Sequence, residues 1–423
     1  MHQVCPLLDE DSSASRGLRA SLAGMRAPSG DGSVTSPSAV LSLVRLGRAL
    51  SRADVARETG LSATTAAARV ESLIRRGYLR ETGAGPSAGG RPPRRLEIRG
   101  DAGVVAAVDL GERHAALGVF DAASQLLAER RLPIAIADGP EAVLETVAAA
   151  VTALVESATA GSTPLLALCV GIPGPVGARS GLVVSPARMP GWNGADVAAI
   201  VRQWLDVPVI VENDANLMAV GEHAAGGGDA EHLVFVKVGS GIGCGVVAAG
   251  ALHRGSEGFA GDISHVTVPG APPVPCSCGR VGCLDAVASG AALVEQLQQR
   301  GVSSAGTQGM LDLARDAHPL TTQLLREAGS STGTVLSTIL NFFNPERLVI
   351  GGHLSSAEAF VAGVRSAIYA QCPPMITDRL DIAVSAVGQR AAVLGAAREA
   401  LDLAFSPDLL SARGSRGGAA SLG

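Results

Sequence analysis

Two stretches, "GFAGDISHVTV" at residues 258–268 and "CSCGRVGCLDAVASG" at residues 276–290, decide how the rest of the chain is read. Cys276, Cys278 and Cys283 fall within eight residues, glycines separate them, and His265 stands eleven residues before the first. One imidazole and three thiols at this spacing form the pattern of a metal cage. Cys5, Cys169, Cys244 and Cys372 are isolated and read as packing residues, or in the case of Cys5 as part of a tail. Seven cysteines with three of them clustered suit a metal site in a reducing compartment better than a disulfide framework.

Around the cage, apolar strand-like runs alternate with Ala-rich amphipathic helical runs, the sign of an α/β fold. Polar or glycine-rich turns follow the runs. "GVVAAVDLG" ends at Asp109, "PVIVENDANLMAVGE" passes Asn213 and Asp214 into a helix, and "HLVFVKVGSGIGCGVV" is a strand, a Gly-rich turn and a second strand. Ligands of such sheets bind beyond the carboxyl ends of the strands, so these turns are expected to line one cleft. Lys237 is the only lysine among 34 basic residues, which reads as a base-composition bias rather than as function.

The front of the chain differs. Residues 1–100 hold 15 Arg against 9 Asp and Glu, a surplus of +6, whereas the remainder carries −11. A basic front on an acidic body points to nucleic acid at the front only. "SAVLSLVRLGRAL" has helical apolar spacing. "SRADVARETG" opens with Ser51 and Asp54 at capping-box spacing and closes at Gly60. "LSATTAAARVESLIRRGYL" is capped by Ser62 and turns Ala66, Val70 and Leu73 inward. These helices, followed by the basic Gly/Pro-rich loop "GGRPP", make a winged helix-turn-helix over residues 37–99. Ser62, Ala63, Thr64, Thr65, Ala67 and Ala68 are the base-reading candidates. Arg69, Arg75 and Arg76 are assigned to phosphates, and Arg91 to the minor groove.

The two cage stretches, "VENDAN" with "VGSGIGCGVV", and the "GGRPP" wing together resemble the transcriptional-regulator branch of the ROK family (repressors, open reading frames and kinases), over residues 37 to about 403. The resemblance implies an α/β fold, a winged helix-turn-helix followed by two actin-like, ribonuclease-H-like lobes. It places the first lobe at residues 101–220 plus 391–405 and the second, with the cage, at 221–390. Residues 1–36 and 406–423 are then disordered tails. It implies a structural zinc on His265, Cys276, Cys278 and Cys283, since Cys₃His is the closed tetrahedral type. It also implies a sugar pocket of Asn213, Asp214, Asp262, His265 and Asp285, with Asn193 in "GWNG" as a further candidate. Asp262 and Asp285 stand where the family has glutamate, and Ser264 where it has glycine.

A family kinase needs a Gly-Thr-Lys phosphate turn. Here Glu112, Arg113 and His114 occupy it, so the expectation is a regulator with no catalytic residue. It would bind double-stranded operator DNA as a homodimer or dimer of dimers and respond to a sugar or sugar-phosphate effector. The alternatives are a sugar kinase with an attached DNA-binding domain, in which Asp214 is the base, and a regulator that answers to a protein partner. No apolar run looks long enough to span a bilayer, and the N-terminus lacks a signal-peptide pattern, so a cytoplasmic protein with no membrane partner is expected.

Overall fold

The structure, a computed structural model, describes residues 36–84 and 94–419. The expected N-terminal tail, apart from Ser36, and the wing residue Arg91 lie outside the described residues. Three helices open the fold, Pro37–Arg45, Arg52–Thr59 and Ala63–Arg75. Each begins on a serine whose hydroxyl takes an otherwise unpaired backbone N–H: Ser36 from Ala39, Ser51 from Asp54 at 3.2 Å and Ser62 from Thr65 at 3.1 Å. Gly60, at φ 68°, ends the second helix in the left-handed region that a side chain would resist. Val40, Leu41, Val55, Ala66, Val70 and Leu73 are fully buried between the helices. The strands β1 (Leu79–Ala84) and β2 (Arg94–Ile98) pair antiparallel beneath them.

The body is two five-stranded sheets. The first comprises β3 (Val104–Leu110), β4 (His114–Asp121), β5 (Leu126–Pro133), β6 (Leu165–Ile172) and β7 (Val209–Asn213), in the order β5-β4-β3-β6-β7. The second comprises β8 (Leu233–Val238), β9 (Ile242–Ala248), β10 (Ala251–Leu252), β11 (Arg347–Gly351) and β12 (Asp381–Val384), in the order β10-β9-β8-β11-β12. Both have three antiparallel strands followed by two parallel ones, so a single topology occurs twice. Strands β3, β6 and β8 are apolar because helices cover both faces, except for Asp109 near the end of β3 and Lys237 near the end of β8.

Helix Pro140–Thr159 is long and apolar enough to cross a membrane by length and composition. The sequence, read for long apolar runs, gives no such helix. Its Val143, Leu144, Val147 and Val151 are buried in the core beside the first sheet. The chain returns to that sheet through helix Ala391–Ala404. This helix crosses helix Asp214–Ala225 at two glycines. A Cβ on Gly395 would lie 1.9 Å from the Leu217 carbonyl oxygen, and one on Gly221 2.0 Å from that of Ala391. The two backbones therefore touch between the lobes.

One expectation is corrected. Within the expected C-terminal tail, Pro407–Ala419 is a helix instead, and residues 420–423 lie outside the described residues. Proline suits its first turn, and Leu410 is 2% exposed. The Leu410 carbonyl accepts from Arg76, while Arg413 donates to the Ala404 and Leu166 carbonyls at 2.9 and 2.7 Å. One apolar cluster runs from the winged helix through Tyr78, Phe405 and Leu410 into the first sheet. Tyr78 meets Phe405 edge to face at 5.9 Å.

Candidate functional site

Helix Ala63–Arg75 turns Ser62, Thr64, Thr65 and Arg69 outward, with Ala67 half-buried beneath them. The Ala67 carbonyl accepts from Arg52, which also pairs with Glu71 and Glu81. Arg75 is exposed. Arg76 is not free for a phosphate: its guanidinium lies 5.3 Å from the Tyr78 ring centre and donates to the Leu410 carbonyl. It fastens the winged helix to the body.

Between the lobes lies a cavity of about 820 Å³, within the ~300–1,000 Å³ range of small-molecule sites. Asn213, Asp214, Asp262, His265 and Asp285 all line it. Asn193 does not. It is exposed, and its Oδ1 accepts from the Ser185 N–H at 2.8 Å, holding Ser185 at φ 43°. It forms the turn while Ser185 lines the cleft.

The lining acids and amides are not equally available. Asn213 caps its helix, Oδ1 accepting from Ala215 and Asn216 at 3.0 and 3.2 Å, and Nδ2 donates to the Gly174 carbonyl. Asp285 uses both oxygens: Oδ1 accepts from the Ile242 N–H at 2.9 Å and Oδ2 from Arg188 at 2.7 Å. Asp262 is exposed and accepts only from the Ser264 hydroxyl beside it. Asn216, 2% exposed, also lines the cavity. Its Nδ2 donates to Glu212 at 3.0 Å, and its Oδ1 has no hydrogen-bond partner among the described residues. A buried acceptor left this way is where a ligand hydroxyl is worth most.

Asp214 makes an ion pair with Lys237. Burial opposes the Lys237 charge, but Asp214 and Asp109 outweigh it and hold its pKa above the lysine value. Burial and then the Asp214 carboxylate push Asp109 up to about 7, against Lys237 and Arg131. Burial, then Arg131, His353 and Lys237, push His114 down to about 4. Arg188 spans the cleft mouth, bonded to Glu112 of the first lobe at 3.2 Å and to Asp285 of the second. Sequence reasoning missed Lys237, Arg188, Asn216 and His353. Lys237 alone carried a signal, as the single lysine in an arginine-rich chain.

Behind the cleft runs a charged chain. The Glu212 carboxylate accepts from the Asn213 N–H at 2.9 Å and from Arg254 at 2.6 Å, and Arg254 reaches Glu399 at 2.7 Å. One turn further along helix Ala391–Ala404, Asp402 pairs with Arg45 of the winged helix and with Arg398.

The four expected cage residues converge. The ligand atoms of His265, Cys276, Cys278 and Cys283 lie within 4.8 Å of one another. Cys278 Sγ is 3.6 Å from Cys283 Sγ, and Cys276 Sγ is 3.4 Å from His265 Nδ1. Bonds of ~2.3 Å to sulfur and ~2.0 Å to nitrogen in a tetrahedron require edges of roughly 3.5–3.8 Å, so the set fits a metal ion.

A family model described as the ROK family matches residues 105–402, and one described as winged helix-turn-helix DNA-binding matches residues 39–80. The chain is 28% identical over 371 residues to the xylose repressor of Caldicellulosiruptor bescii, covering 84% of this chain and 92% of that one. It is also 28% identical over 306 residues to a glucokinase of Halalkalibacterium halodurans, covering 68% and 92%. Among solved structures, a ROK family transcriptional regulator described as a homologue of the E. coli MLC protein superposes with a TM-score of 0.74. That match has 22% identity and covers 88% of this chain and 96% of that chain. It confirms the fold, a winged helix-turn-helix before two actin-like lobes.

Proposed function

The chain belongs to the ROK family, and on that footing we propose that it is a DNA-binding transcriptional regulator, a repressor of carbohydrate-metabolism genes. It responds to a sugar or sugar derivative held between its lobes. The observation that carries this reading is the Asp214–Lys237 ion pair on the cleft floor, in a chain whose winged helix is fastened to the same body. A sugar kinase needs that carboxylate free to take a hydroxyl proton. Here an ammonium holds it. Glu112, Arg113 and His114 further replace a compact phosphate turn with side chains, one of them anionic and tied to Arg188.

Sugar recognition falls to Asn216, Asp262 and His265, with Asp214 at the floor and Asn213 and Asp285 setting the walls. Carboxylate and amide oxygens suit hydroxyl donors. Zinc at His265, Cys276, Cys278 and Cys283 is structural: it fixes the His265 ring and the loop between Asp262 and Asp285. Ser62, Thr64, Thr65, Ala67 and Arg69 face the major groove of operator DNA, and Arg91 reaches its minor groove. A dimer in the cytoplasm reads two-fold-related half-sites.

The kinase relative keeps a second reading in view, a sugar kinase with an attached DNA-binding domain. One comparison separates them. Purified full-length protein is given operator DNA and, in a parallel assay, ATP with a panel of sugars. Operator release by one sugar without sugar-dependent ATP turnover supports the regulator. Turnover that disappears in Asp214→Asn sinks it.

A further inference from the structure

Glu71 and Glu81 stand beside the helix that faces DNA, where a carboxylate repels the phosphate backbone. One residue holds both. Arg52, at the start of helix Arg52–Thr59, donates from Nε to Glu81 Oε1 at 2.7 Å. Its two terminal nitrogens donate to Glu71 Oε2 at 2.9 Å and to the Ala67 carbonyl at 3.4 Å. Ala67 and Glu71 are one turn apart on helix Ala63–Arg75, and Glu81 is on β1. The other Glu81 oxygen accepts from Arg94, the first residue of β2, at 3.4 Å. One guanidinium thus joins three elements and reaches a fourth through Glu81. The other ion pairs here are local, Arg48–Glu58 and Arg57–Asp54 among the helices and Arg80–Glu97 across the two strands. Among the described residues, Arg52 alone forms ion pairs that join the helices to the two-stranded ribbon. The root of the ribbon is fixed by packing: Leu79, Leu96 and Ile98 are buried, and the Leu96 N–H donates to the Leu50 carbonyl at 2.8 Å. Beyond Glu81, which pairs with Leu96, the register shifts between Thr82 and Ala84. Arg80, Arg94 and Arg95 are exposed on the ribbon, placed to meet phosphates. They and the outward face of helix Ala63–Arg75 must land on one duplex together.

We propose that Arg52 and Glu81 are positioning residues for operator recognition, and that their bridge locks the ribbon at one angle to helix Ala63–Arg75. The helix then enters the major groove with the ribbon arginines already over the backbone, and neither bridging side chain needs to touch a base. The proposal rests on the DNA-binding reading above. A planar guanidinium suits the task because its fork fixes the direction of two acceptors at once, which a lysine ammonium does not. The Arg52 hydrogen bond outweighs burial and holds the Glu81 carboxyl below the usual glutamate value, so the bridge is ionic at neutral pH. Charge alone and positioning predict opposite signs for the loss of Glu81. Removing an anion beside DNA strengthens binding to any duplex if only charge matters. Removing a strut weakens the specific complex, in which helix and ribbon must fit together.

The test uses a duplex that the wild-type full-length chain selects from a random-sequence pool, and a scrambled duplex of equal length. Both are titrated against wild type, Glu81→Gln, Arg52→Lys and the double variant. Glu81→Gln should bind the selected duplex at least roughly tenfold more weakly, and the scrambled duplex as well as before or better. Arg52→Lys keeps the charge but not the fork and should show the same selective loss. The double variant should lose no more than the worse single, because both changes break one bridge. Equal or tighter binding of the selected duplex by Glu81→Gln or by Arg52→Lys overturns the proposal. So does a loss shared equally by both duplexes, or losses that add in the double variant, although the DNA-binding reading then stands. A wild-type chain that enriches no duplex removes that reading, and the positioning role with it.

Discussion

At the scale of single residues, the cleft floor is a small set of charges forced into each other's company. Asp109 sits at the end of β3, half-buried, with Asp214 as a like-charged neighbour, and its pKa rises to about 7. The sign of the consequence follows from linkage. Between the ordinary aspartate value and about 7 the folded state holds a proton that the unfolded state has lost, so stability falls as pH rises through that window. His114, depressed to about 4, contributes the opposite slope between about 4 and its ordinary value, because there the unfolded chain binds the extra proton. The two slopes partly cancel in the wild type, and the Asp109 effect is cleanest as a difference. Asp109→Asn should match the wild type near pH 4 and be more stable by on the order of 2–4 kcal/mol at pH 8. Urea unfolding at a series of pH values reads it. A stability difference that does not change with pH would refute the assignment. Little of this was legible beforehand. Asp109, Asp214 and Lys237 could each be placed at the end of or within a strand, but which acid would find the lysine depends on how the two sheets are set against each other.

At the scale of elements, periodicity and caps succeeded where the code is local. Ser51, Gly60 and Ser62 bound their helices as the capping residues indicated, and Ala66, Val70 and Leu73 face inward. Helix Pro407–Ala419 escaped because its stretch is rich in Gly, Ser and Arg, and only the tertiary cluster of the winged helix and the first lobe gives Leu410 something to pack against. The His/Cys₃ loop lies between these cases. Its ligand spacing was visible, but its use was not. The loop is tied by the isolated bridges Thr267–Cys283 and Pro275–Val281 and by the Asp285 N–H bonded to the Ser264 carbonyl at 2.9 Å. It thereby mounts Asp285, which in turn holds Ile242 and Arg188. Cys278→Ser should therefore cut metal affinity by at least ~10–100-fold and lower the melting temperature, most sharply in the second lobe. Elemental analysis and calorimetry follow both effects. Stoichiometric zinc retained by the variant would show that the cage is not the metal site.

At the scale of the whole molecule, the question is how a ligand in the cleft is felt by helix Ala63–Arg75. The helices that cross at Gly221 and Gly395 join both lobes, and Asp402 on the second of them pairs with Arg45 of the winged helix. Helix Asp214–Ala225 starts at the cleft floor, and helix Ala391–Ala404 carries Glu399 and Asp402. The charged chain Glu212–Arg254–Glu399 and the pair Asp402–Arg45 run along the same route. Burial, followed by opposition from Arg254, leaves Glu399 with a raised pKa, so its charge depends on that arginine staying in place. A ligand that moves Asn213 or Asn216 moves Glu212, and with it the partner that Arg254 shares between β7 and helix Ala391–Ala404. Coupling of this kind is reciprocal: operator DNA must change ligand affinity by the same factor that ligand changes operator affinity, typically ~5–150-fold. Glu399→Gln keeps the shape and removes the charge. It should reduce that factor by roughly 2–30-fold while leaving ligand affinity in the absence of DNA nearly unchanged. Titrations of ligand with and without operator, on wild type and variant, measure it directly. A coupling factor unaltered in Glu399→Gln would show that the coupling reaches the winged helix through the apolar contacts of Tyr78, Phe405 and Leu410 rather than through the charges beneath them.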